Sequence, residues 1–186
     1  MIELRNLLVR VRHTPDRLLQ PLRRRKAIVA LRSRPRPSHV LVVCHGNIWR
    51  SPVGGALLAR ELAPLGIEVQ TAGFIGFNRP APPEAIAAAQ RHAIDLASHR
   101  SRPITAALLR ATDLIVVMDP AQHRLLRERY GFGSKGVLVL GDVDPGTADT
   151  RTIRDPVDQK QDVFEQVYER IARCVRELGR ILTARS

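Results

Sequence analysis

The chain has only two cysteines in 186 residues, Cys44 and Cys174, with no CxxC spacing. That excludes a disulfide framework and a thiolate zinc site. The six histidines, at positions 13, 39, 45, 92, 99 and 123, form no HExxH motif and no Cys/His cluster, so no metal is expected. Long hydrophobic runs are missing as well. Those present, such as Val40 to Val43 and Leu114 to Met118, are strand-sized, far short of the roughly 20 apolar residues a membrane span needs. The opening Met1-Ile2-Glu3-Leu4-Arg5 lacks the apolar region and cleavage site of a secretory signal, and a cytoplasmic location is expected. The length suits one domain with one core and one active site.

Positive charge is plentiful but unevenly placed. The net charge is +12; residues 1–38 hold eleven Arg and Lys against Glu3 and Asp16, a net +9, which leaves +3 for the other 148 residues. The basic character therefore speaks for the partners of the first segment, and no nucleic acid is expected on the remainder. Composition shifts at Ser33-Arg34-Pro35-Arg36-Pro37-Ser38, which divides the chain into a basic extension, 1–38, and a domain, 39–186. Within the extension Leu4, Leu7, Leu8 and Val11 follow helical spacing, so a short amphipathic basic helix is expected to end before Pro15. Its chemistry suits anionic lipid or an acidic protein.

From His39 onward strands and helices alternate: strand 39–43, helix 51–63, strand 67–71, helix 82–93, short helix 103–110, strand 113–118, helix 120–130, strand 136–140 and helix 161–181. This order with continuous apolar strands predicts an α/β fold, a four-stranded parallel sheet with helices on both faces. Ligands of such sheets sit outside the carboxyl ends of the strands, where Cys44 follows the first strand. In the last helix Phe164, Val167, Ile171, Val175, Leu178 and Ile181 make one apolar stripe. Cys174 lies beside it and reads as a core thiol.

The loop from Cys44 to Ser51 carries the chemistry. A sulfur nucleophile must be a thiolate, whereas an unperturbed cysteine titrates at about 8.5. Positive potential must therefore be supplied. The loop opens into a helix, with Ser51 suited to the N-cap and Pro52 to the first helical position; helix N-termini favour both a thiolate and a phosphate. Gly46 permits a tight turn, so that consecutive amides converge on one anion. Arg50 offers a planar fork to two phosphate oxygens. His45, Gly46, Asn47, Ile48, Trp49 and Arg50 then form a phosphate-binding loop with Cys44 at its floor. Cleaving a phosphoester also needs a proton for the leaving oxygen, and Asp142, Asp144, Asp149, Asp155 and Asp158 are all candidate donors.

Val43-Cys44-His45-Gly46-Asn47-Ile48-Trp49-Arg50-Ser51-Pro52 resembles the signature of the low-molecular-weight protein tyrosine phosphatases. The likeness continues through Thr71-Ala72-Gly73, Ser98-His99-Arg100-Ser101-Arg102, Asp113 to Asp119 and Ile153-Arg154-Asp155-Pro156, and spans about residues 39 to 182. It implies hydrolysis of phosphotyrosine through a phosphocysteine on Cys44, with Arg50 holding the phosphoryl group and no cofactor. It also implies Asp155 of an Asp-Pro pair as general acid, with Asp144-Pro145 the runner-up, and a loop-supporting network of Asn47, Ser51 and His99. The implied partner is a phosphotyrosine protein, a bacterial tyrosine kinase among the candidates. Other readings within reach of the fold are a phosphoarginine phosphatase, an arsenate reductase-like enzyme and a non-catalytic phosphotyrosine-binding module.

The chain departs from that family at several points. Trp49 stands where many members have a second cysteine, so no disulfide can form inside the loop; packing beneath the loop is its expected role. Val157 and Asp158 replace the aromatic residues that usually follow the Asp-Pro pair, which leaves Phe74 and Phe77 as candidate pocket walls. Ile48 occupies a position that carries threonine in the arginine-phosphatase branch and therefore favours phosphotyrosine. The two extra cysteines of the thioredoxin-coupled arsenate reductases are absent between residues 80 and 100.

Overall fold

The computed structural model describes residues 2–131, 136–146 and 149–184, with residues 2–16 described by their backbone alone. Four strands, β1 (His39–Cys44), β2 (Glu68–Gly73), β3 (Leu114–Val117) and β4 (Val137–Val139), form one parallel sheet in the order β2-β1-β3-β4. The helices are α1 (Ile2–Arg32), α2 (Arg50–Leu62), α3 (Pro83–Gln90), α4 (Ala106–Arg110), α5 (Pro120–Tyr130) and α6 (Gln161–Thr183).

The pleat of the central strands explains why both faces are covered. On β1, Val40, Val42 and Cys44 point into one core with Val53 of α2, Ala85 of α3, Ile171 of α6 and Leu31 of α1. Leu41 and Val43 point into a second core with Leu109 of α4 and Leu126 of α5. Apolar residues in succession thus serve two layers of helices, as the sequence predicts for a parallel sheet. Asp113 joins the strand starts: its Oδ2 accepts from the amides of Ser38 and His39 at 2.8 and 2.9 Å. The His39 amide is the chief reason its carboxyl titrates below the ordinary range.

Local chemistry sets the ends of two helices. Asp119 caps α5 through the Gln122 amide, Pro120 follows at the first position, and Gly131 at φ 60° closes it. Thr105 caps α4 through Leu108, so that helix starts after Pro103 rather than at it. Helix α3 stops at Gln90, short of the expected residue 93, and Ala93 adopts φ 56° beyond it.

The first helix is the largest departure from expectation. Instead of ending before Pro15 it continues through Pro15 and Pro21 to Arg32; the side chains of Leu4, Leu7, Leu8 and Val11 lie outside the described residues. A proline inside a helix costs about 3 kcal/mol, and tertiary contacts from Gln20 onward offset it at Pro21. Gln20 Nε2 donates to the Asp144 carbonyl at 2.8 Å, Arg24 pairs with Glu177, and Ala27, Ile28 and Leu31 pack on the core. No helix among the described residues is long and apolar enough to cross a membrane.

One buried carboxylate ties several of these parts together. Asp144 is fully buried, with Arg173 Nε at 2.7 Å, Arg170 Nε at 3.1 Å and the Gly146 amide at 3.0 Å. Arg170 also donates to the carbonyls of Thr150 and Thr152 at 2.5 and 2.8 Å. Burial pushes the Asp144 carboxyl up, but Arg173, Gly146 and Arg170 outweigh it and hold the group below the ordinary carboxylate range. The pair's stabilisation is therefore fully present above the ordinary range and is lost only as pH falls through the lower, folded-state value. Asp144→Ala leaves two guanidiniums facing an empty partner and is expected to cost about 3–5 kcal/mol. Urea unfolding at neutral pH reads this loss; an unchanged midpoint counts against the role given to Asp144.

Cys174, beside the stripe of α6, is fully buried, and burial first, then the neighbouring Asp144, pushes its thiol up to about 12. Alkylation of the native protein at neutral pH is expected to spare Cys174 until denaturant is added. Peptide mapping checks this, and rapid native labelling of Cys174 contradicts it.

Candidate active site

The sheet order reverses between β1 and β3, which opens a crevice at their carboxyl ends. Cys44 ends β1 at that point, and the loop 45–49 turns from it into α2. Two expectations about the turn are corrected. The left-handed residue is Asn47, at φ 50°, and Gly46 is outside the positive-φ region. Asparagine tolerates that conformation because its short polar side chain bonds locally. Helix α2 begins at Arg50 with Trp49 at the N-cap, so Ser51 and Pro52 already lie within the first turn. The Trp49 side chain makes no capping bond, and the Ser51 hydroxyl is turned inward.

That hydroxyl lies 3.0 Å from Cys44 Sγ. Its oxygen accepts from Asn47 Nδ2 at 2.9 Å, and its one proton has two acceptors in reach, the Cys44 sulfur and the Ala72 carbonyl at 3.4 Å. Asn47 Oδ1 accepts from the Arg102 amide at 3.0 Å, and its carbonyl accepts from His99 Nε2 at 2.7 Å. A carbonyl can only accept, so the Nε2 of His99 carries the hydrogen. The structure thus brings Cys44, Asn47, Ser51 and His99 into one connected network. Asn47 and Ser51 are fully buried, and their partners come from the loop, from Ala72 of β2 and from His99 and Arg102 in the segment before α4.

The loop also rests on β2. His45 O accepts from the amides of Phe74 and Ile75 at 2.8 and 3.1 Å. A Cβ at Gly73 would meet Asn47 N at 2.8 Å and His45 O at 2.9 Å, so only glycine allows this approach. No feature of the loop's own sequence points to Gly73; the family likeness through Thr71-Ala72-Gly73 and its place at the carboxyl end of the neighbouring strand are the available signals.

Arg50 is only 5% exposed and reaches across to a different part of the chain. Its Nη1 donates to the Ile153 carbonyl at 3.2 Å, and its Nη2 pairs with Asp155 Oδ2. Asp155 itself is 47% exposed. Asp119 adds a third approach, with Oδ2 at 3.9 Å from Arg50 Nη1. Sequence reasoning did not single out Asp119 as a site residue, although an Asp-Pro pair at the carboxyl end of β3 is where a sheet of this kind gathers its ligands. Ile153 is in turn fixed by its amide, which donates to the Met118 carbonyl at 2.8 Å.

Trp49 contributes its backbone to the loop and its ring to the core. The indole is buried, donates Nε1–H to the Ala85 carbonyl at 3.2 Å, and stacks edge-on against Phe164 at 5.2 Å. Ile48 is buried on the loop and His45 is exposed. The two candidate wall aromatics separate: Phe74 packs in the second core with Leu41 and Ile115, whereas Phe77 stands 78% exposed. The runner-up acid Asp144 is held in its buried arginine cluster, away from solvent. Among the described residues no group of His, Cys, Asp and Glu is arranged to hold a metal ion.

Residues 39–185 match the family described as low molecular weight phosphotyrosine protein phosphatase. The chain belongs to this family. A relative from Ralstonia nicotianae, named a probable low molecular weight protein-tyrosine-phosphatase EpsP, is 36% identical over 73% of this chain and 90% of its own length. The Erwinia amylovora tyrosine phosphatase AmsI is a solved structure with TM-score 0.67 and 28% identity, covering 75% of this chain and 89% of that one. A YwlE arginine phosphatase superposes with TM-score 0.70 at 26% identity, covering 78% of this chain and 96% of that one. A low molecular weight phosphatase loop built in this way depends on the missing side chain at position 73. Gly73→Ala is expected to displace the loop by a fraction of an ångström to an ångström and to lower turnover of an aryl phosphate about a hundredfold. Steady-state kinetics with a thermal melt as fold control checks this; full activity in a folded variant would show that the loop does not need the close approach.

Proposed function

We propose that the chain is a protein tyrosine phosphatase hydrolysing phosphotyrosine through a phosphocysteine, with residues 39–186 as the catalytic domain. The observation that carries this reading is the Arg50–Asp155 pair at the mouth of the Cys44 loop. It supports one arrangement of nucleophile, anion clamp and carboxylic acid around a single phosphoryl group.

Cys44 Sγ attacks phosphorus in line with the tyrosine oxygen. The P–O bond breaks as Asp155 gives its proton to that oxygen. Water then attacks the phosphocysteine, losing a proton to the Asp155 carboxylate, and the P–S bond breaks to release inorganic phosphate. Arg50 and the amides of residues 45–50 bear the charge on the equatorial oxygens. The Ser51 hydroxyl donates to sulfur when it is the leaving group, and Asn47 and His99 keep the loop amides pointed inward. The buried cluster around Asp144 supports Asp155, the exposed carboxylate, as the acid. The steps need neither metal nor cofactor.

Phosphoarginine is the second reading, favoured by the likeness to a YwlE arginine phosphatase. The buried Ile48 and the more similar relative named as a tyrosine phosphatase support phosphotyrosine. A panel of phosphotyrosine, phosphoarginine and phosphoserine peptides, with Cys44→Ser as the inactive control, tests the assignment. Preference for phosphotyrosine is expected; preference for phosphoarginine selects the second reading, and equal activity in Cys44→Ser defeats both. Asp155→Ala is expected to slow poor leaving groups on the order of a hundredfold or more and good ones far less. An equal effect on both moves the acid role to another residue.

A further inference from the structure

Helix α1 presents two long faces of different character. One is docked: Gln20, Arg24, Ala27, Ile28 and Leu31 recur at helical spacing and meet Asp144, Glu177 and the core. On the other, Leu18, Leu22, Arg25 and Val29 follow at intervals of four, three and four residues. Its aliphatic side chains are 72, 58 and 58% exposed, and Leu19 at 42% widens the row. Scattered exposed leucines need no explanation, but an aligned row on the solvent side of an already docked helix does nothing for the fold. Arg25, Lys26 and Arg32 are exposed along the same stretch, and residues 1–38 carry +9 of the net +12.

We infer that the outer face of α1 is a docking surface for an anionic lipid bilayer. Leu18, Leu22 and Val29 enter the boundary between headgroups and acyl chains, while the long stems of Arg25, Lys26 and Arg32 carry their charges to the lipid phosphates. Charge complementarity and shape choose this occupant. The two cavities beside α1 are lined by other residues of the helix and not by Leu18, Leu22 or Val29, so the aliphatic row meets its partner as a convex ridge. A second copy docking through the same row would set Arg25 near its own equivalent and bring two +9 segments together. An acidic protein answers the charge but offers no soft apolar layer to the aliphatic row.

The test is co-sedimentation of the full chain with vesicles of phosphatidylcholine alone and of phosphatidylcholine mixed equally with phosphatidylglycerol. Binding is expected to the mixed vesicles only and to fall steeply with added salt. Leu18→Asp/Leu22→Asp/Val29→Asp, and separately Arg25→Glu/Lys26→Glu/Arg32→Glu, are each expected to weaken it about tenfold or more. Their thermal midpoints should be unchanged, since all six positions are exposed. The inference is overturned by no binding to mixed vesicles at low salt, or by binding that the aspartate variant retains in full. It is equally overturned if the native chain binds polyglutamate but not vesicles, or forms a dimer that the aspartate variant abolishes.

Discussion

A guanidinium that is 5% exposed must have its charge answered from nearby, because burying an unpaired cation costs several kcal/mol. Arg50 is such a group, and its answers come from parts of the chain about a hundred residues away: the Ile153 carbonyl and the Asp155 carboxylate, with Asp119 close by. To meet them, the start of α2, the end of β3 and the segment before α6 must close around one point. Ile153, pinned by its amide to the Met118 carbonyl, supplies the link between the last two. The crevice at the strand-order reversal is therefore a charged assembly as well as a topological one.

Two Asp-Pro pairs in the second half of the chain have opposite surroundings. Asp144-Pro145 lies where α1, α6 and the segment 150–152 converge, and Arg170 and Arg173 hold its buried carboxylate. Asp155-Pro156 stands at the mouth of the loop with half of its side chain in water, one carboxylate oxygen on Arg50 and the other accepting from the Val157 amide at 3.4 Å. The first pair braces the segment that presents the second, since Arg170 bonds Asp144 and the Thr150 and Thr152 carbonyls at once. A carboxylate held by two arginines resists protonation, as Asp144 does.

Much of the fold was readable in advance because its signals are local. The central strands are unbroken apolar runs, as a strand buried on both faces requires, and α6 has a helical stripe long enough to leave no alternative. Asp119-Pro120 and Gly131 carry their own start and stop signs. Elsewhere local signals misled. Pro15 argued for a short first helix, yet the helix runs through Pro15 and Pro21, where the docking of Gln20, Arg24 and Leu31 offsets the cost at Pro21. Ser51 suited an N-cap, yet its hydroxyl is taken by Cys44 and Asn47, and the N-cap lies two residues earlier at Trp49.

By itself the sequence determined the alternation of strands and helices, the loop of Cys44, Asn47, Arg50 and Ser51, and the concentration of positive charge in residues 1–38. Each depends on residues adjacent in the chain, whose spacing is their geometry. Only the tertiary structure decided that Trp49 belongs to the core, that Gly73 makes room for the loop, that Asp155 rather than Asp144 meets Arg50, and that the exposed row of α1 faces outward. Those choices are made between groups far apart in sequence, where burial and charge pairing act and spacing carries no information.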